Sequence, residues 1–196
     1  MTRRVGMFGG AFDPPHLAHV ALARAAVEQL RLDELRIVPT GDAWHKATQL
    51  SAAADRLAMV HIAFAGVPRA FIDERELQRA GRTYTVDTLR ELQREQPDAE
   101  LFLVMGEDQS AALTRWHEWQ SVLALAVICF AERAAGAGEI RSELPPQARS
   151  QPLLLPPMPE SATEVRALVR RGAEFDHLVA PDVARYIDRH CLYRPT

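Results

Sequence analysis

Val5-Gly-Met-Phe-Gly-Gly-Ala-Phe-Asp-Pro-Pro-His-Leu-Ala-His19 is the stretch whose reading decides the fold. Val5, Met7 and Phe8 form a short apolar run of the kind that becomes a buried strand. Gly9 and Gly10 follow, and a sharp turn is expected at them, with no side chain to block an approaching ligand. Asp13 is placed to cap or anchor the loop, and Pro14 and Pro15 stiffen it. From His16 onward Leu17, Val20, Ala21, Val27 and Leu30 recur at helical spacing. Strand, glycine turn and helix in this order bring free backbone N–H groups and the positive end of a helix dipole to one point, which suits a phosphate. His16 and His19 are three apart and share one face of the first helical turn, from which two imidazoles can donate to oxyanions. A surface helix carrying two histidines by chance would account for the pair alone. It does not account for the glycine pair and Asp-Pro in the same register.

The bulk numbers set the frame. With 196 residues, 47% hydrophobic and 25% charged, the chain is expected to form a single domain, 1–196, with helices around a sheet. A net charge of -3 offers no reason to expect a nucleic-acid partner. Cys129 and Cys191 are too few and too unpatterned for a disulfide scaffold or a zinc module, and a reducing, cytoplasmic setting is expected. The first strand is expected directly after Arg3 and Arg4, so no signal peptide is expected. The longest apolar run, Val122 to Ala131, falls well short of the roughly 20 residues that span a bilayer, so no membrane partner is expected.

Along the rest of the chain, Leu35 to Val38 reads as a second strand, completing a right-handed β-α-β unit. Pro39 ends it, Thr40-Gly41-Asp42 makes a turn, and Trp44-His45-Lys46 places a polar, aromatic and basic cluster at a strand's carboxyl end, where α/β sheets bind ligands. Lys46 offers a point charge to a polyphosphate and His45 a weaker contact; an ordinary solvated lysine is the alternative. Ser51 starts a helix with Leu57, Val60 and Phe64 inward. Arg69 to Asp73 reads as a strand with Phe71 buried, and Glu74 to Leu77 as a connector whose charges are mostly solvated. Thr85 is expected to N-cap a helix to about Gln96, with Val86, Leu89 and Leu92 on its apolar face. Glu100 to Met105 is a strand ending in the Gly106-Glu107-Asp108 turn, where Asp108 also suits a helix N-terminus. Trp116 and Trp119 suit the cover of a sheet edge. Ala126 to Phe130 is the next strand, with Arg133 beyond it. Residues 134–152 read as a flexible connector, and Leu153 to Leu155 as a last core strand. Ser161 and Glu164 form a capping box for a helix with Val165, Leu168 and Val169 inward, which leaves Arg166 unexplained. Gly172 ends that helix, and Pro181 begins a final one with Val183, Tyr186 and Ile187 packing.

Residues 9–19, GGAFDPPHLAH, resemble the GGxFDPxHxGH signature of the nucleotidyltransferase superfamily that carries a T/HxGH motif. Within it the chain is similar to the nicotinate-nucleotide adenylyltransferases. The implied fold is α/β, a Rossmann-like doubly wound parallel sheet with helices on both faces. The resemblance implies ATP contacts at Gly9, Gly10, Phe12, Asp13 and Ala18, the last standing where the family has glycine, close to the base. Asp108 matches the acid of the family's Gly-x-Asp, at the ribose or the phosphates. Residues 161–166 resemble I-S-S/A-T-x-I/V-R, with Glu160 in place of the apolar first residue, and imply Ser161, Thr163 and Arg166 at the β- and γ-phosphates. Residues 83–89 resemble Ser/Thr-Tyr-Thr-x-x-Thr-Leu, which puts a nicotinate carboxylate on the helix start at Thr85, with Tyr84 supporting the wall. Trp116 is matched to the residue that stacks on the pyridine ring, and His117 to the one whose main-chain N–H meets the carboxylate. His45 and Lys46 match the family after the second strand, where Trp44 replaces a proline. Arg133 matches an Arg-Pro, although Ala134 follows it here.

The implied reaction transfers the adenylyl group of ATP to nicotinate mononucleotide, giving deamido-NAD and pyrophosphate. His16, His19, Lys46 and Arg166 carry the chemistry, Mg²⁺ rides on the phosphates, and no dedicated protein metal site is expected. A hydrolase with a metal on His16, His19 and His45 lacks an acidic partner placed to complete it. An adenylyl- or cytidylyltransferase acting on another acceptor, such as phosphopantetheine, fits the Thr85 and Trp116 stretches less well. A non-enzymatic nucleotide sensor is disfavoured by the intact His16, His19 and Arg166. A homo-oligomer stays open.

Overall fold

The structure, a computed structural model, describes residues 2–41, 50–133 and 144–195. In chain order the elements are β1 (Arg4–Gly10), α1 (Leu17–Gln29), β2 (Glu34–Pro39), α2 (Ala53–Phe64), β3 (Ala70–Ile72), α3 (Arg75–Gln78), α4 (Thr85–Glu95), β4 (Glu100–Met105), α5 (Glu107–Ala111), α6 (Trp119–Leu125), β5 (Ala126–Arg133), β6 (Ser150–Leu155), α7 (Ala162–Arg170) and α8 (Pro181–Arg189). The strands form one sheet in the order β3-β2-β1-β4-β5-β6, and every pairing is parallel.

Strand alternation sorts the apolar side chains to two faces. Phe8, Ile37, Phe102, Val104, Cys129 and Leu153 point to one, where α1, α2, α7 and α8 supply Ala26, Phe64, Val165 and Ile187. Val5, Met7, Val38, Leu103, Met105, Ile128 and Phe130 point to the other, under Leu89 of α4 and Val122 of α6. β4 is apolar on both faces because helices cover both, as parallel strands require. The sheet is doubly wound, and its strand order reverses between β1 and β4, where the connections leave toward opposite faces.

Several local expectations are corrected. Gly9 and Gly10 do not turn; they pair with Val38 and Pro39 because β2 is long enough to extend the ladder. The turn comes later, at Phe12 (φ 48°) and the cis Asp13–Pro14 bond. A Cβ on Gly10 would lie 3.0 Å from the Phe12 ring, so the glycine serves to let that ring fold back. The inward face of α1 is Leu22, Ala23 and Ala26, with Leu30 just beyond its end; Val20 and Val27 pack partly buried against the same core, whereas Leu17 and Ala21 do not join it. Its first turn stands past the sheet, over a cleft that Ala18, His19 and Leu22 line.

Phe71 is 53% exposed, because alternation in the three-residue edge strand turns Ala70 and Ile72 to the core and leaves Phe71 beneath the Arg36 guanidinium. Thr85 is the first helical residue of α4, and Tyr84, in extended backbone, is its N-cap. Glu74 to Leu77 is no solvated connector: Glu76 is buried and accepts from Thr88 Oγ1 at 2.7 Å. Tight packing of α3 explains this, since a Cβ on Gly41 would sit 2.1 Å from the Glu76 carbonyl oxygen. β5 runs to Arg133, and β6 begins at Ser150, inside the expected connector, pairing with Ile128. Only Leu153 of the last three residues is fully buried, and Leu154 is exposed. The Gln29 amide continues the edge strand's hydrogen bonding, donating to the Leu154 carbonyl at 2.9 Å and accepting from its N–H at 3.0 Å.

One buried cation ties the loops after β1 and β2 together. Arg56, 3% exposed, donates from Nη1 to the carbonyls of Ala11 (3.0 Å) and Thr40 (2.8 Å) and from Nε to that of Ser51 (3.2 Å). Replacing it strands three carbonyls away from water. Arg56→Ala should therefore lower the unfolding free energy by about 2–4 kcal/mol in urea titrations, whereas Arg24→Ala, on the surface, should cost under about 0.5 kcal/mol. Equal effects would remove the staple from this account.

Candidate active site

Beyond the carboxyl ends of β1 and β4 lies a cleft of about 1020 Å³. Gly9, Gly10 and Phe12 from the end of β1, and His16, Ala18 and His19 from the start of α1, form its floor. Phe12 is held in left-handed backbone, which costs an L-residue about 1–2 kcal/mol. Its ring is 2% exposed and meets Phe8 and Phe64 edge-on at 5.5 Å, a burial that returns about 2–3 kcal/mol. The loop is thus locked by its aromatic residue.

Asp13 is buried and fully engaged. Oδ1 accepts from the Tyr193 hydroxyl at 2.6 Å, Oδ2 from the Ser51 N–H at 3.0 Å, and its main-chain oxygen from Arg166 Nη1 at 2.6 Å. Its carboxylate braces the loop from beneath.

The histidines follow at once. The His16 N–H donates to His19 Nδ1 at 3.2 Å, which leaves the His19 proton on Nε2 as a donor. The two rings lie 3.7 Å apart. His16 is buried, its Nδ1 has no partner among the described residues, and burial lowers its pKa to about 4. At neutral pH it is an uncharged imidazole.

A second wall comes from the start of α7. Ser161 caps that helix, accepting from the Glu164 N–H at 3.2 Å, and Arg166 Nη2 reaches Thr163 Oγ1 at 3.4 Å. The third wall is built from the start of α4 and the segment before α6. Tyr84 and Thr85 line the cleft with Trp116 and His117, and the Tyr84 and His117 rings lie 4.2 Å apart. Asp108 joins them from the first turn of α5. The helices α1, α4 and α7 therefore turn their N-terminal ends into one space.

Most residues singled out from the sequence are gathered there. His45 and Lys46, with Trp44, lie outside the described residues, as does the side chain of Arg133. The sequence reading missed Arg56, Tyr193, Arg115 and Thr83. Arg56 had a signal, since residues 56, 59, 60 and 63 recur at helical spacing, but ranking by apolarity chose Leu57 instead. Tyr193 had none, at 180 positions from Asp13. Glu160 also lines the cleft, and its Oε2 is buried without a partner among the described residues.

The cytidylyltransferase-like family model matches residues 7–168. The chain is 51% identical over 195 residues to a probable nicotinate-nucleotide adenylyltransferase of Albidiferax ferrireducens, covering 98% of each chain. It is 44% identical over 199 residues to one so named from Methylibium petroleiphilum, covering 98% of this chain and 93% of the relative. In fold it is similar to the Plasmodium falciparum nicotinic acid mononucleotide adenylyltransferase complexed with NaAD (TM-score 0.82, 18% identity, 97% of each chain). Glycine-ended strand, paired histidines and the Ser-Ala-Thr-Glu-Val-Arg helix start thus stand in a chain that belongs to the cytidylyltransferase-like family and, within it, to the nicotinate-nucleotide adenylyltransferases.

Proposed function

We propose that the chain transfers the adenylyl group of ATP to nicotinate mononucleotide, giving deamido-NAD and pyrophosphate, in NAD biosynthesis. The observation that carries this reading is the convergence of three helix N-termini on one cleft, two beside His16, His19 and Arg166 and one beside Trp116. The first pair suits a polyphosphate, and the third suits an aromatic carboxylate. The whole chain acts as one nucleotidyltransferase domain in the cytoplasm. Among the described residues no helix is long and apolar enough to cross a membrane, and both cysteines are free.

In the reaction, a phosphate oxygen of the mononucleotide attacks the α-phosphorus of ATP in line, and the bond to the β-phosphate bridging oxygen breaks. The attacking phosphate is already ionised, so no general base is required. His16 and His19 donate to the α-phosphate as negative charge builds on it, and the neutral state of His16 makes it a donor that needs no counter-ion. Ser161, Thr163, Arg166 and Lys46 hold the departing pyrophosphate. Gly9, Gly10, Phe12 and Ala18 admit the nucleotide, and Asp13 shapes their loop. Amides at Thr85 and the main-chain N–H of His117 take the nicotinate carboxylate, Trp116 stacks on the pyridine ring with Tyr84 supporting that wall, and His45 and Arg133 are further contacts for the mononucleotide.

The donor set suits a Mg²⁺ ion that arrives on ATP. Among the described residues no three His, Cys, Asp or Glu side chains gather to hold one, whereas single carboxylates, Asp108 and Glu160, line the cleft and can take its water ligands. Bound in this way, the ion would neutralise charge on the β- and γ-phosphates.

Pyrophosphate release with ATP and each mononucleotide in parallel tests the reading. The nicotinate form should win in kcat/KM by about tenfold or more, the factor that ~1.4 kcal/mol at a helix N-terminus supplies; comparable values for the nicotinamide form would remove the carboxylate site. His19→Ala should lower kcat by a factor of about a hundred while leaving the melting temperature near wild type. Undiminished turnover would contradict its role. For His16, the unfolded chain titrates near 6.5 and the folded site at about 4, so between these values the unfolded state binds the additional proton. Stability should fall as pH drops through this window, and thermal melts of His16→Gln should show a shallower loss than wild type. Identical slopes would mean the imidazole is not held neutral.

A further inference from the structure

We propose that Tyr193 is a positioning residue for this reaction: through Asp13, its hydroxyl holds in register the loop that aims His16 and His19 and the carbonyl on which Arg166 docks. The inference rests on the adenylyl-transfer reading and concerns a residue far from the three motifs. Past the end of α8 the chain adopts left-handed backbone twice without glycine, at Cys191 (φ 51°) and Tyr193 (φ 63°). Two such residues, two positions apart, are strained and persist only where surrounding contacts hold them. Their effect is to turn the backbone so that Leu192 and Tyr193 pack against the first core, and the phenol reaches Asp13 Oδ1 at 2.6 Å.

Asp13 is the point through which a shift would be transmitted. Its other oxygen accepts from Ser51, and its main-chain oxygen accepts from Arg166, so one residue joins the β1–α1 loop to the start of α7. Between Asp13 and His16 stand only Pro14 and Pro15, whose rings fix φ and leave little freedom to absorb a displacement. Burial and the adjacent Asp13 charge push the Tyr193 phenol far up from its ordinary pKa, so it stays a donor at any working pH. A lost hydroxyl leaves Asp13 Oδ1 to seek water, and both phosphate-facing walls move with it.

Tyr193→Phe keeps the ring and its packing and deletes only the hydroxyl. We expect kcat for pyrophosphate release to fall on the order of tenfold, as a sub-ångström misplacement of catalytic groups costs. KM for nicotinate mononucleotide should stay within about twofold, because the Tyr84, Thr85 and Trp116 wall lies on other loops. In the substrate-free protein the imidazole ¹H–¹⁵N signals of His16 and His19 should shift, with the Trp116 indole signal unmoved. Unmoved imidazole signals overturn the proposal whatever the rate does. So does a kcat within about twofold of wild type, or a general loss in both KM values that tracks a lower melting temperature. The spectra need no substrate: a wild-type chain unable to release pyrophosphate would sink the proposed reaction, and the imidazole signals would still decide this inference.

Discussion

A carboxylate buried at the turn after the first strand constrains much of what surrounds it. Asp13 is 4% exposed, and an unpaired charge so placed would cost several kcal/mol. The protein meets this with a main-chain donor from Ser51, a phenol from Tyr193 and the nearby Arg56 guanidinium. Ser51 and Arg56 flank the start of α2, and Tyr193 comes from the far end of the chain. Satisfying one side chain therefore ties β1, the segment before α2 and the turn after α8 into a single bracket. Phe12 is then seated beside it in a backbone conformation that its aromatic contacts compensate.

The bracket matters because it stands at the point where the sheet reverses direction. β1 and β4 are neighbours, and their connections leave toward opposite faces, opening a cleft between them. Helices from both faces then present N-terminal ends to the same space: α1 and α7 from one layer, α4 from the other. Anionic groups of two substrates can thus be met by fixed dipoles whose orientation is settled before either binds. Burial adds a second effect by keeping His16 uncharged, so in the proposed reaction this imidazole acts by hydrogen bonding and not by a standing charge. Such a site stabilises charge as it forms, which is what phosphoryl transfer demands.

In the proposed reaction, local residue chemistry carries part of the specificity as well. Tyr84 and His117 meet as tilted rings beside the start of α4, and Trp116 rests half-buried on the second core. That wall rests on the β4–α4–α6 layer, on the opposite face of the sheet from α1 and α7.

Residues 5–19 made the strand–loop–helix order legible, because glycine, proline and apolar spacing act over a few residues and need no distant partner. Residues 83–89 and 161–166 likewise declared helix starts, and Ser161 caps α7 as its spacing implied. Even there the local rules erred by small amounts: Gly9 and Gly10 stayed in the sheet because β2 offered them partners, and Tyr84 took the capping place expected of Thr85. What no local pattern contained was the fate of side chains whose partners are remote. Phe71 is exposed and Glu76 buried against their usual preferences, since edge position and the packing of α3 outweigh residue type. Arg56 and Tyr193 converge on the first loop across the fold, and hydrogen bonds of that reach leave no periodic trace. Sequence alone thus determined most of the elements and most of the chemical inventory of the cleft, while tertiary structure decided which groups are buried, neutral or held in place, because desolvation and long-range pairing exist only once the chain has closed on itself.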